Sequence, residues 1–108
     1  MGSVDRLRLL EQAAAVNSQL VSLPRIQLMQ TFALYGADGI EFRELQASMG
    51  MSDGKLLSNL YALRDLGVVE EQKTKVENKI VTAYKVTDAG RAEWQRTRTW
   101  LLHWLGSP

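Results

Sequence analysis

Residues 51–69, "MSDGKLLSNLYALRDLGVV", constrain this chain more than any other stretch. Leu56, Leu60 and Leu63 fall on one stripe of an α-helix, where a turn takes about 100° per residue. Gly50 stands before the stretch, Ser52 is a good N-cap, and Gly67 with two Val residues closes it. Roughly opposite the leucines lie Gly54, Ser58, Tyr61 and Asp65, flanked by Lys55 and Ala62 on one side and Leu57 on the other. The pattern is an apolar back with small or hydrogen-bonding groups in front. A helix that enters a DNA major groove needs that layout, because small residues let the backbone approach base edges and Ser or Lys can contact bases or phosphates. A merely solvated helix face has the same composition, so its neighbours must decide.

Upstream, Phe42 or Arg43 to Met49 reads as a helix with Leu45 and Met49 at i, i+4, ended by Gly50. The two helices are therefore joined by a tight Gly-containing turn. Before them, Ser22 caps a helix with Pro24 in its first turn, running to about Tyr35 with Ile26, Met29, Phe32 and Ala33 inward and Gly36 at C′. Ile40 and Glu41 form a short extended segment. Residues 4–21 read as an amphipathic N-terminal helix with Leu7, Leu10, Ala14 and Val21 on one face. From Val68 the period switches to two, giving a β-hairpin with its tip at 76–79; Thr82, Tyr84 and Val86 share one face, Val81, Ala83 and Lys85 the other. Thr87 caps a last helix, 88–105, lined by Trp94, the stem of Arg98, Leu101 and Leu105, with Trp100 and Trp104 as an adjacent stripe. Gly90 is a poor helix former, so its small size needs a packing reason. The order is mainly α with a small β-hairpin (α+β): one domain over 1–108, with a helix-turn-helix core at 22–87 and a helix on either side.

Other classes find little support. There is no Cys, which removes disulfides and thiolate sites and fits a reducing cytoplasm. No apolar run reaches the roughly 18 residues of a membrane span, and no signal-peptide pattern opens the chain. His103 is the only His, and no nucleophile elbow, P-loop or dinucleotide fingerprint occurs. No enzyme activity, metal or cofactor is expected. Net charge is +1, whereas domains that grip nucleic acid are more often strongly basic. Over residues 70–80, Lys73, Lys75 and Lys79 are balanced by Glu70, Glu71 and Glu77. The last helix is richer in cations, with Arg91, Arg96 and Arg98 after Lys85, against Asp88 and Glu93.

"SMGMSDGKLLSNLYALRDLGVVE" together with "TAYKVTDAGRAEW" resembles the winged helix-turn-helix DNA-binding domains of MarR-like transcriptional regulators, nearest their short, archaeal-like branch. The resemblance covers about residues 22–95. It implies a homodimer on double-stranded, pseudo-palindromic DNA, with a recognition helix at about 52–66 in the major groove and a wing at about 74–80 on the backbone or minor groove. By position, Ser52, Lys55, Ser58, Asn59 and Tyr61 would face DNA from the helix, and Lys73, Lys75, Asn78 and Lys79 from the wing, while Arg25 would meet a phosphate. Three positions depart from the pattern. Leu57 replaces a polar group and either packs partly or meets a thymine methyl, Asp53 sets a carboxylate near phosphates, and the wing tip carries Glu77 and Asn78. The near-neutral charge and Leu57 also suit a rival reading, a protein-interaction module in a transcription or replication assembly. The flanking helices carry apolar stripes too long to leave wet. Leu7, Leu10 and Ala14 with Trp100, Leu101, Trp104 and Leu105 are expected to build the dimer. A small-molecule effector is left open by the sequence.

Overall fold

The computed structural model describes residues 7, 8, 10 and 16–106. Helix α1 spans Leu23–Tyr35, strand β1 Ile40–Glu41, helix α2 Phe42–Met49, helix α3 Asp53–Asp65, strand β2 Val69–Val76, strand β3 Lys79–Val86 and helix α4 Asp88–Leu105. The sheet is antiparallel in the order β1-β3-β2, with Ile40 opposite Tyr84 and Val69 opposite Val86. The helices α1, α2 and α3 close over one face of it. This is the winged helix-turn-helix arrangement that the sequence implied.

Each boundary has a local cause. Ser22 caps α1 by accepting from the Arg25 amide at 3.4 Å, and Pro24 sits in the first turn, where a missing N–H leaves no helical bond unmade. Ser52 accepts from the Lys55 amide at 3.3 Å and caps α3. The turn between α2 and α3 pivots on Gly50 at φ 66°, a left-handed conformation that costs glycine least. At the far end of α3 the chain reverses in a Schellman turn: the Gly67 amide donates to Arg64 O at 2.9 Å and the Val68 amide to Leu63 O at 3.1 Å. Leu63 and Val68 are both buried there, the apolar contact that accompanies such a turn.

The core lies where α3 backs onto α1, α2 and the sheet. Leu56, Leu60 and Leu63 are fully buried, as are Leu28, Met29 and Phe32 of α1, with Leu45, Val69, Tyr84, Val86 and Trp94 nearly so. Each such side chain contributes about 1.5–3 kcal/mol by leaving water, so the leucine stripe alone fixes which side of α3 faces in. Ile26, Ala33, Phe42, Met49 and Met51 pack on the periphery.

Three expectations need correction. The N-terminal helix does not extend to residue 21. Leu7, Arg8 and Leu10 are helical, but Val16 is a bend and Ser18–Leu20 is a short 3-10 turn. Asn17 is the cause: its Oδ1 accepts from the Gln19 amide at 3.0 Å, a local bond that competes with helix continuation. Leu20 is thereby driven into the core at zero exposure, and Val21 lies beyond the turn, not on the helix stripe. Second, Gly36 is the C-cap of α1 at φ −99°, not a left-handed C′ residue; a Cβ there would stand 2.7 Å from Phe32 O. Third, Leu28 is as buried as Met29, because α3, β3 and α4 together cover a wider arc of α1 than one stripe. Ala14 falls outside the described residues.

Candidate nucleic-acid interface

The front of α3 is open. Ser52, Asp53, Gly54, Lys55, Ser58, Tyr61 and Asp65 are all exposed, while directly behind them Leu56, Leu60 and Leu63 are sealed. No Cβ contact lies within 4 Å of Gly54, so the helix presents bare backbone at its second residue. Asp53 is held at the N-terminal turn by a hydrogen bond from the Gln46 side chain, which latches α2 to α3 across the turn. Its carboxylate also suits the positive end of the helix dipole. Tyr61 keeps 40% exposure and lies under the Arg64 guanidinium, 4.6 Å from the ring centroid.

Two sequence-predicted contacts sit differently. Asn59 is half-buried and turned toward α1. Its Oδ1 accepts from Arg25 Nε at 3.1 Å and its Nδ2 donates to Lys55 O at 2.9 Å. Arg25 Nη1 donates to Gln19 O at 2.8 Å and to Gln19 Oε1 at 3.4 Å. Both polar ends are engaged inside the protein.

The wing is a two-residue hairpin. Glu77 and Asn78 lie at φ 51° and 66°, the positive pair of a type I′ turn, whose twist matches that of the strands it joins. Its register separates the charges that the sequence merely counts. Val69, Glu71, Lys73 and Lys75 pair with Val86, Tyr84, Thr82 and Ile80, so these share the face that continues the core. Glu70, Gln72, Thr74 and Val76 pair with Lys85, Ala83, Val81 and Lys79 on the other. On the core-side face Glu71 is largely buried, its side chain 17% exposed. It accepts from the Tyr84 hydroxyl at 2.9 Å and lies 3.5 Å from Arg64 Nη1 and 3.7 Å from Lys73 Nζ. Burial, then the hydrogen bond to Glu71 and that carboxylate's charge, push the Tyr84 phenol well above its ordinary range. The carboxylate is thus answered internally, and Lys75 stands on that face toward the tip.

Between α3, the start of α2 and the hairpin runs an open groove of about 420 Å³, walled by Phe42, Leu57, Tyr61, Ile80 and Tyr84 and rimmed by Arg43, Lys73 and Lys79. Leu57 is half-buried in that wall, which gives its apolar side chain a packing role. A second cleft of about 620 Å³ separates α1 from α2, beside the exposed Leu34 and Tyr35.

A family profile described as a winged helix DNA-binding domain matches residues 25–105. The chain belongs to that family. An uncharacterized protein of Methanocaldococcus jannaschii is 30% identical over 74 residues, covering 68% of this chain and 78% of the relative. Among solved structures, a transcriptional regulator homologue from Pyrococcus horikoshii superposes with a TM-score of 0.77 at 20% identity, covering 94% of this chain and 95% of that one. NadR in complex with 4-hydroxyphenylacetate gives 0.66 at 16% identity, over 94% of this chain and 71% of that one. A MepR-like protein complexed with pseudoligands gives 0.64 at 17%, over 92% and 75%. The fold is shared with regulators of this kind, as the MarR-like resemblance implied.

Outside the winged-helix core, apolar side chains remain uncovered. Leu7 is 58% exposed and Leu10 51%, while on α4 Leu102 and Leu105 are exposed and Trp100, Leu101 and Trp104 half so. Trp100 and Trp104 stack with ring centroids 6.1 Å apart and planes 4° from parallel. Leu102 stands two residues from both Trp100 and Trp104, on nearly the opposite side of α4, so it falls on neither stripe and was not singled out from sequence. The exposed Leu23, Leu34 and Tyr35 of α1 were missed as well, because apolar residues on both sides of this short helix leave no clean polar face to read. Among the described residues no group of three or more His, Cys, Asp and Glu clusters to hold a metal, and no helix is long and apolar enough to cross a membrane.

Proposed function

We propose that the chain is a sequence-specific transcriptional regulator of the cytoplasm that binds duplex DNA as a homodimer, with no enzymatic activity and no cofactor. The observation that carries this reading is the division of α3: three leucines at zero exposure behind, and Lys55, Ser58 and the bare Gly54 exposed in front. Helix α3 enters the major groove. Ser52, Lys55, Ser58 and Tyr61 meet bases or phosphates there. The wing, through Lys73, Lys75, Asn78 and Lys79, lies along the backbone or in the minor groove. The uncovered leucines and tryptophans of the flanking helices, Leu7, Leu10, Trp100, Leu101, Trp104 and Leu105, form the two-fold seam, and its geometry sets recognition helices about 34 Å apart. NadR and the MepR-like protein were each solved with a small molecule, and an effector that modulates this chain's DNA binding is consistent with them.

Fluorescence anisotropy against duplex DNA at two salt concentrations tests the reading. Affinity should fall steeply with salt, and Ser58→Glu should abolish binding while circular dichroism and Tm stay unchanged, since a carboxylate on the front of α3 would face phosphates. Salt-independent or absent binding, or an unaltered Ser58→Glu variant, would instead favour the protein-interaction reading. Sedimentation of the full chain, and of one lacking residues 1–20, tests the seam; a full-length monomer at micromolar concentration refutes it.

A further inference from the structure

We infer that Arg25 and Asn59 form a strut that fixes the recognition helix against the segment entering from the N-terminus, so that Arg25 serves DNA binding as a positioning residue and not as a phosphate contact. The inference rests on the DNA-binding reading above. One guanidinium joins α1 to α3, 34 residues on, and to the 3-10 turn six residues upstream. Arg25 itself is in the first turn of α1. Its Nε donates 3.1 Å to Asn59 Oδ1, 34 residues away on α3. Its Nη1 donates 2.8 Å to Gln19 O in the 3-10 turn, with Gln19 Oε1 at 3.4 Å.

Both ends of the strut are themselves held. Gln19 cannot drift, because its amide is bound to Asn17 Oδ1 at 3.0 Å and the next residue, Leu20, is fully buried. Asn59 spends its amide on Lys55 O at 2.9 Å, one turn back along the exposed front of α3. Both carbonyl-type acceptors are met by N–H groups of one planar fork, a geometry that arginine supplies and a lysine ammonium does not. For Arg25 to reach a phosphate with those nitrogens, it would have to release Asn59 and Gln19 first. The segment that Gln19 anchors leads back to the exposed Leu7 and Leu10. In a dimer joined there, the strut references each recognition helix to the seam, and spacing along DNA depends on that reference.

The full chain and the variants Arg25→Gln, Arg25→Lys, Asn59→Ala and Arg25→Gln/Asn59→Ala are titrated against a random duplex of about 30 base pairs over a range of salt. The strut predicts that Arg25→Gln and Asn59→Ala each weaken binding about tenfold at every salt with the log–log salt slope unchanged, that the double variant is no weaker than either alone, and that Arg25→Lys restores nothing. A salt slope reduced by about one per arginine, with Asn59→Ala at wild-type affinity, overturns the proposal in favour of a phosphate contact. Amide hydrogen exchange reads the linkage without DNA. Asn59→Ala should speed exchange at Leu20 and Val21, whose amides close the 3-10 turn at 3.0 Å. Unchanged exchange there refutes the strut. Should the wild-type chain bind no duplex at all, the DNA-binding reading fails and the positioning role with it, while exchange still decides whether the strut exists.

Discussion

Replacing Gly90 by Ala tests how α4 is seated on the winged-helix core. Thr87 caps α4 by accepting from the Gly90 amide at 2.9 Å and donates its own hydroxyl to Gly67 O at 2.7 Å, while the Thr87 amide donates to Val68 O at 3.0 Å. These bonds draw the first turn of α4 onto the exit of α3. A Cβ at Gly90 would lie 1.9 Å from Val68 O, 2.7 Å from its carbonyl carbon and 2.8 Å from its Cα. All three are backbone atoms, so no side chain can swing away. Alanine gains about 1 kcal/mol of helix propensity over glycine. Overpacking costs about 1–3 kcal/mol even where side chains relax, and moving Val68 O also strains its bond from Thr87, which contributes about 1 kcal/mol. The net expectation is a loss of about 2 kcal/mol, or roughly 8 °C in Tm for a domain of this size. Gly54→Ala is the matched control. It adds the same methyl to a helix with nothing within 4 Å, and should stabilise by about 0.5–1 kcal/mol. Urea unfolding at one fixed protomer concentration measures both, since association would otherwise shift the midpoint. Equal stability of Gly90→Ala and wild type, or the same shift in both variants, refutes the close-packed crossing.

Tyr84→Phe should cost about 1 kcal/mol at neutral pH through the lost bond to Glu71. The folded phenol holds its proton more tightly than the unfolded one, whose ordinary value is 10.0, so the unfolded state loses that proton first. The stability from this group is complete below pH 10 and declines above it; wild type should therefore lose stability faster than Tyr84→Phe between about pH 10 and 12, and parallel pH profiles would refute this. Converting Glu77-Asn78 to Asn-Gly should stabilise the hairpin by about 1 kcal/mol, because both residues hold a left-handed backbone that Asn and Gly adopt more cheaply; thermal unfolding checks it. Lys75→Ala should lower the salt slope of DNA binding by about one for each wing, whereas Lys85→Ala, on the opposite face, should leave it unchanged.

The architecture was legible because two periodicities meet at one place. Leucines at 56, 60 and 63 can share a face only in a helix, and the alternation after Val68 can bury Tyr84 and Val86 together only in a strand. Gly90 announced itself as well, since a poor helix former in a first turn implies a close neighbour. Less could be read of the site. Lys55, Ser58 and Tyr61 are exposed as the helical wheel demands, but Asn59, one residue from Ser58, faces α1. Its partner Arg25 is 34 positions away, and no local pattern marks that pairing. The N-terminal helix reads as longer than it is because Val21 keeps the apolar spacing of Leu7, Leu10 and Ala14, while Asn17 breaks the backbone and a tighter turn delivers the neighbouring Leu20 to the core instead.

Charge shows most clearly what the sequence count obscured. Residues 70–80 sum to zero, which predicts a wing with little hold on phosphate. Pairing divides that sum between two faces, and on the core-side face it leaves one carboxylate against two lysines. That carboxylate is the one held by the Tyr84 hydroxyl, Arg64 and Lys73, so most of its field is cancelled within a few ångströms. Glu70 looks the other way, where Gln72 and Lys85 are its neighbours. A phosphate approaching along the recognition-helix side would therefore meet Lys75 and the outer part of Lys73, with Glu71 already engaged and Glu41 across the groove. Near-neutral net charge weakens long-range attraction and lowers non-specific affinity. It does not prevent a short-range interface in which strand register sets Lys73 and Lys75 on one side, with Lys79 at the tip, and the proposed reading requires only the latter.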